Sequence, residues 1–180
     1  MLKKGHIIMN TCALAYLPAC ANAVMSSPEA IQHAATFITK PFTESLHNPI
    51  MIGASVCLYF LGTIAPDFDK ILERLGLAEH RTWWHTIYPV IALYLLSLLF
   101  APLAWLAFGY LMHLFVDSPS VCGVCFFNPY GYDHYNKAKI KKHHFVRLYH
   151  SGGVGEYVIL AITIVLTACY VYFMYIRKLF

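Results

Sequence analysis

The sequence predicts an all-α fold, an integral membrane helical bundle of about five helices formed by one domain over residues 1–180. Two observations predict this class. Of the 180 residues, 59% are hydrophobic and only 12% are charged, whereas soluble domains carry about 25% charged residues. The hydrophobic residues are also concentrated in separate runs, and these runs are joined by segments that hold most of the polar residues.

Five apolar runs predict the helices, over residues 6–24, 50–65, 86–100, 102–118 and 156–176. The last run is long enough to span a bilayer alone, because spanning takes roughly 20 residues. The second, third and fourth runs are shorter, and they fit a locally thinned bilayer or a place inside a bundle. Ala101-Pro102 predicts a tight turn, and residues 25–49 predict a polar connection with a short surface helix.

The first run has three interpretations. Its lysines, apolar stretch and Ala-Asn-Ala resemble a cleavable signal peptide, and Leu-Pro-Ala-Cys ending at Cys20 resembles a lipoprotein processing box. Asn10 and Thr11 interrupt the apolar run, and Pro18 is poorly placed for such a box. We therefore expect this segment to be retained as the first membrane helix.

The basic residues orient the predicted bundle. If the five runs cross the membrane in alternation, ten Lys and Arg residues fall on the side of the N-terminus and three on the other. The positive-inside bias then places the first side in the cytoplasm.

Seven His and Asp residues are predicted to lie at these cytoplasmic helix ends. His113 and Asp117 are four residues apart and share a helix face, and Asp67-Phe68-Asp69 resembles a pair of carboxylates that can hold cations. Each residue alone also fits a capping or interfacial role, but together they predict one metal site. Mixed imidazole and carboxylate ligands suit zinc, manganese or iron better than calcium. The predicted set is His6, Asp67, Asp69, His80, His85, His113 and Asp117.

Four motifs in order resemble the YdjM-like family of predicted membrane-bound, metal-dependent hydrolases of the bacterial inner membrane. They are Gly5-His6, Pro66-Asp67-Phe68-Asp69, His80-Arg81-Thr82-Trp83-Trp84-His85 and the segment from Gly109 to Asp117, which contains His113. The chain departs from the family pattern at Lys70, where the family commonly has His, at Thr82-Trp83-Trp84, and at Ser118. Lys70 lowers the expected number of ligands by one.

The resemblance implies hydrolysis of a phosphoester or other ester in a lipid or lipid-linked substrate. One or two divalent ions, with zinc or manganese expected, would activate water. Asp67, His85 and Asp117 would act in catalysis together with Arg81, which is suited either to pair with a substrate phosphate or to anchor a lipid headgroup. Glu156 has two interpretations, as a further ligand or as a favourable charge at a helix N-terminus.

The expected partners are membrane lipid, a lipid-type substrate and other membrane proteins. The basic, aromatic loop near residues 130–150 is compatible with nucleic acid, but attraction to anionic lipid is expected instead, so we expect no nucleic-acid partner. The alternative function is a non-enzymatic membrane subunit or assembly factor whose metal is structural. A metal-ion transporter is a third and weaker interpretation, because it requires polar residues in the helix centres, which we expect to be nearly free of them.

Overall fold

The structure, a computed structural model, describes residues 3–17, 19, 20, 23, 26, 28–76, 83–119, 124, 126, 127 and 152–176. Its regular elements are all helical, which confirms the predicted class. They are α1 (Lys3–Leu14), α2 (Glu29–Glu44), α3 (Pro49–Ile64), a 3-10 turn (Ala65–Phe68), α4 (Asp69–Arg74), a second 3-10 turn (Trp83–His85), α5 (Tyr88–Ser97), α6 (Leu103–Asp117), α7 (Val154–Val171) and a terminal π-helical turn (Tyr172–Ile176).

The predicted first helix, over residues 6–24, is interrupted in the structure, and helical residues follow the interruption at Leu17, Ala19, Cys20 and Ala23. Its first part, α1, begins at Lys3 and ends at Leu14, because the amides of Ala15 and Tyr16 bond to carbonyls only three residues back, Cys12 and Ala13, at 3.1 Å each. Such bonds tighten the last turn and stop the α-helical ladder. The surface helix expected within residues 25–49 is α2, which begins after Pro28.

The other predicted helices are present with bounds shifted by a few residues. Asn48 caps α3 by accepting a hydrogen bond from the amide of Ile50 at 2.8 Å, and Pro49 occupies the first helical position, where its missing N–H costs nothing. The tight turn expected at Ala101-Pro102 joins α5 to α6.

Two helical segments among the described residues are long and apolar enough to cross a membrane, fewer than the five predicted. They are Pro49–Arg74, with 26 residues, and Val154–Met174, with 21 residues. The first segment runs from α3 through the 3-10 turn into α4. Helices α5 and α6 are apolar but have only 10 and 15 residues, or about 15 and 22 Å at the usual rise, against a hydrocarbon core of about 30 Å.

Helices α3 and α6 approach each other until their backbones touch. A Cβ added at Gly62 would lie 2.2 Å from the Leu106 carbonyl oxygen, and one added at Gly109 would lie 2.1 Å from the Tyr59 carbonyl oxygen. Small residues allow this kind of close approach between membrane helices. The contact sets the spacing between the ends of α3 and α6, where Asp67 and His113 lie.

The described surface is apolar while much of the interior is polar. On α7, exposed side chains include Val158, Ile162, Val165 and Leu166, whereas Glu156 is buried. A small apolar core formed around Tyr110 and Leu114 lies between α5 and α6. Large exposed apolar patches on a protein mark contact with a membrane or another protein, so this arrangement fits a bundle surrounded by lipid.

The glycine contact generates a stability prediction. We expect Gly62→Ala or Gly109→Ala to lower the melting temperature in detergent, since the added methyl meets backbone atoms that cannot rotate away, at a cost of about 1–3 kcal/mol. Differential scanning fluorimetry of the purified protein measures this change.

Gly53 provides the matched control, because a Cβ there would meet nothing within 4 Å. Gly53→Ala lies in the same helix α3, and we expect it to leave the melting temperature unchanged or to raise it through better helix propensity. Equal effects at Gly53 and Gly109 would contradict the packing argument.

Candidate metal centre

Six of the seven predicted ligands come together in one buried cluster. α1 carries His6, the 3-10 turn after α3 carries Asp67, and Asp69 is the first residue of α4. The second 3-10 turn ends with His85. His113 and Asp117 occupy the last turns of α6, and all six side chains are buried. The predicted ligand His80 and the predicted catalytic residue Arg81 lie outside the described residues.

The carboxylate of Asp117 faces three imidazoles. Its Oδ1 lies 3.2 Å from His6 Nε2, while its Oδ2 lies 3.7 Å from His113 Nε2 and 3.9 Å from His85 Nε2. Histidines from three separate parts of the chain therefore turn the same ring nitrogen, Nε2, toward one carboxylate.

The orientation of His113 is fixed by a backbone carbonyl. Its Nδ1 lies 2.7 Å from the Thr63 carbonyl oxygen, and a carbonyl can only accept, so Nδ1 carries the proton. In the neutral ring Nε2 then presents a lone pair. This lone pair faces Asp117 Oδ2 and also Asp67 Oδ1, at 4.0 Å. Lone pairs that face one another in a buried site favour a cation between them. Metal-bound histidines usually donate their other ring N–H to a carbonyl or carboxylate, as His113 does to Thr63.

His85 is oriented by a carboxylate. Its Nδ1 lies 3.1 Å from Asp69 Oδ2, on the side of the ring opposite to Nε2. This is the arrangement in which a carboxylate fixes the tautomer of a metal-binding histidine and increases its basicity. The geometry therefore favours an orienting role for Asp69, while the predicted role as a direct ligand stays a prediction.

His6 completes the cluster by stacking on His113. The ring centroids are 4.0 Å apart and the planes differ by 9°, while the rings of His85 and His113 meet edge-on at 5.4 Å. Parallel stacking at this distance suits neutral imidazoles, which is the form that binds metal.

Ligand separations in the cluster fit a metal ion. Two triads, His6 with His113 and Asp117, and Asp67 with His85 and His113, have all their ligand atoms within 4.8 Å of one another. Four ligand atoms placed tetrahedrally about 2.1 Å from one ion are about 3.4 Å apart. The separations from 3.2 to 4.0 Å lie on either side of this value. These buried groups could thus hold a metal ion.

The two triads share one nitrogen. His113 Nδ1 is engaged by Thr63, so only Nε2 remains, and one lone pair binds one ion. The sequence predicted one or two ions. The described residues support a single ion that His113 would bind directly, and its nitrogen and oxygen ligands suit zinc or manganese.

Three residues near the cluster have roles that the sequence did not predict fully. Lys70, considered only as a missing ligand, donates from Nζ to Asp67 Oδ1 at 2.6 Å. Thr63 gave no signal beyond its position four residues before Asp67. Glu156 accepts a hydrogen bond at Oε2 from the amide of Gly152 at 2.8 Å, and this contact at the start of α7 favours its interpretation as a favourable charge at a helix N-terminus.

Together the helical fold and the buried cluster define a class: an apolar, membrane-type helical bundle with a candidate metal centre at one end. The chain belongs to the YdjM inner membrane protein family, whose family model matches residues 1–179. It is therefore an inner membrane protein, as the resemblance in its motifs implied. Searches of curated proteins and of solved structures gave no match to the chain.

The cluster generates a prediction about metal content. We expect the purified wild-type protein to retain a divalent ion, and Asp67→Ala or His113→Ala to lose it, because each removes a candidate ligand. Asp69→Ala should weaken metal affinity by about 10–100-fold, as loss of an orienting partner does. Elemental analysis by mass spectrometry, followed by metal titration, measures both effects.

Glu73→Ala is the matched control, because this exposed carboxylate lies on α4, the same short helix as Asp69. Its metal content should equal that of the wild type. Metal retained in both the Asp67 and the His113 variants would contradict the assignment.

Proposed function

We propose that this chain is a multi-pass inner membrane hydrolase that uses a His/Asp-held divalent ion to cleave a phosphoester or other ester in a lipid or lipid-linked substrate. The observation that carries the proposal is the set of inward-facing Nε2 atoms of His6, His85 and His113 around the Asp117 carboxylate. A divalent ion in this position would supply an acidified water and an electrophile for the substrate oxygen.

Asp67 is the carboxylate best placed to handle a proton. Lys70 occupies its Oδ1, while its Oδ2 is buried and has no hydrogen-bond partner among the described residues. Oδ2 is therefore available to accept the proton of an attacking water, while Oδ1 is the oxygen that faces His113 Nε2. Lys70 leaves the second oxygen free and fixes the orientation of the carboxylate.

The surroundings of Lys70 support an anionic lipid as substrate. Its side chain is 38% exposed, whereas that of Asp67 is 3% exposed, so the lysine lies where the cluster approaches the surface. Phe68, Ile71 and Trp83 in the neighbouring segments are exposed. A cation surrounded by exposed aromatic and aliphatic side chains is typical of the headgroup level of a bilayer. In the proposed reaction Lys70 attracts the phosphate of the substrate.

The order of the helices supports a cytoplasmic site. α1 starts at the cluster, α3 and α6 end there, and the turn before α5 contributes His85, as alternating crossings require. Lys70 and Arg74 lie at this end and Lys40 lies in the segment between α1 and α3. The excess of basic residues on the cluster side supports a cytoplasmic location.

A topology experiment tests this orientation. A reporter active only in the cytoplasm, fused after Gly76, should be active, and the same reporter fused after Leu46 should be inactive. A periplasmic reporter at the same two positions provides the control, with the opposite result expected. The reverse pattern at both positions would place the cluster outside the cytoplasm.

The hydrolase proposal predicts metal-dependent ester cleavage. Wild-type protein in nanodiscs, loaded with zinc or manganese, should release product from a fluorogenic phospholipid or a nitrophenyl phosphodiester. Asp67→Ala should reduce the rate by about 100-fold or more, because it removes both a candidate metal ligand and the proposed proton acceptor. Glu73→Ala should retain the wild-type rate, because its side chain is exposed and separate from the cluster.

One observation favours a second candidate, a structural metal in a non-enzymatic membrane subunit. His85 and His113 are fully buried and Asp117 is almost so, and structural metal sites are closed whereas catalytic sites keep an open position. This candidate predicts that Asp67→Ala lowers the melting temperature of a protein that cleaves no ester. Bound metal without cleavage of either class of substrate would favour it over the hydrolase.

A further inference from the structure

Asn10 carries a buried amide that the described fold leaves unsatisfied. Its side chain is fully buried, and neither Nδ2 nor Oδ1 has a hydrogen-bond partner among the described residues. A buried amide without partners costs free energy of folding, and such groups in native proteins call for a ligand, an ion or a water. Asn10 lies outside the motifs that predicted the metal centre.

The position of Asn10 directs this amide toward the metal centre. Asn10 follows His6 by four residues on α1, so the two side chains share a helix face and lie about 6 Å apart along the axis. Side chains on a helix lean toward its N-terminus, and for Asn10 this is the direction of His6. The amide is therefore one helical turn from the cluster and inclined toward it.

A second contact holds the α1 backbone at this point. The Tyr59 hydroxyl donates to the Asn10 carbonyl oxygen at 2.6 Å, and Tyr59 is fully buried. Thr63, one turn further along α3, uses its carbonyl to orient His113. Asn10 and His113 are thus positioned by successive turns of the same helix, which gives the amide a fixed position relative to the cluster.

We propose that Asn10 is a substrate-binding residue whose Nδ2 donates a hydrogen bond to an oxygen of a phosphoryl group bound at the metal centre. This inference rests on the proposed function, because it requires a metal that binds the phosphoryl group. An amide provides two N–H donors without adding charge to a buried site, and preorganised donors of this kind stabilise developing negative charge on oxygen.

Ser55 provides a matched control on α3. Its hydroxyl is also buried and has no partner among the described residues, but it precedes Asp67 by twelve residues, or about 18 Å along the helix. Both residues therefore have unsatisfied buried polar groups, and only Asn10 lies next to the cluster.

The experiment compares Asn10→Leu with Ser55→Ala in the full chain, using inorganic phosphate as the probe. For Asn10→Leu we expect an unchanged or higher melting temperature without metal, because leucine is of similar size and removes an unsatisfied polar group. Metal content should equal that of the wild type. The rise in melting temperature that phosphate gives to the metal-loaded wild type should require at least tenfold more phosphate, whereas Ser55→Ala should respond as the wild type does.

Three results would overturn the inference. A lower melting temperature of metal-free Asn10→Leu would show that the amide is satisfied in the fold, by a buried water for example. An unchanged phosphate response in Asn10→Leu would show that the amide does not contact the anion. A metal-loaded wild type that does not respond to phosphate would exclude phosphoryl binding altogether.

The same samples separate this inference from the proposed function. If phosphate binding depends on Asn10 but no ester is cleaved, the binding residue stands and the hydrolase proposal fails. If esters are cleaved by Asn10→Leu at the wild-type rate and KM, the hydrolase proposal stands and the role of Asn10 is rejected.

Discussion

The close contact between α3 and α6 is the constraint on which the rest of the structure depends. At Gly62 and Gly109 the two backbones are separated by less than the space of a methyl group. Only at this separation can the Thr63 carbonyl reach the ring of His113. That hydrogen bond decides which nitrogen of His113 faces the cluster, so the helix packing controls the chemistry of the site as well as the stability of the bundle.

Burial raises the free-energy cost of the charges in the cluster. Asp67, Asp69 and Asp117 are removed from water, and burying ionised carboxylates is costly unless they are paired or bind metal. Lys70 pairs with Asp67 and His85 with Asp69. An ion bound by the Nε2 atoms would compensate the remaining charge and convert the facing lone pairs into ligand bonds, which would couple metal binding to the folding of this end of the bundle.

Much of the architecture could be predicted from the sequence because it depends on local patterns. Apolar runs identified the helices, and the placement of His and Asp residues at their ends identified a cluster whose convergence the structure shows for six residues. The end of α1 at Leu14 was not predicted, although the sequence holds a signal for it: Pro18 has no N–H to bond to the carbonyl four residues back, which is that of Leu14.

The roles inside the cluster could not be predicted either, because they depend on which atoms meet across the bundle. Sequence patterns treat Asp67 and Asp69 as equivalent, yet Asp67 accepts a hydrogen bond from Lys70 and Asp69 lies 3.1 Å from the imidazole of His85. Thr63 contributes through its backbone, so its residue type carried no signal. Asn10 appeared in the sequence only as an interruption of an apolar run.

The interior of the bundle also bears on the interpretations of its function. We expected helix centres nearly free of polar residues, and this weighed against transport. The structure nevertheless buries three polar residues within α1 and α3, namely Asn10, Ser55 and Thr63. The hydroxyl of Thr63 is used locally, since it donates to the Phe60 carbonyl. The unsatisfied amide of Asn10 adjoins the cluster. The hydroxyl of Ser55 has no partner among the described residues, but it lies about 18 Å along the helix from Asp67, so the two hydroxyls do not form a continuous path for ions. A polar group one turn from the metal ligands, in contrast, enlarges the binding site. The distribution of buried polar groups therefore favours chemistry at one end of the bundle over passage through it.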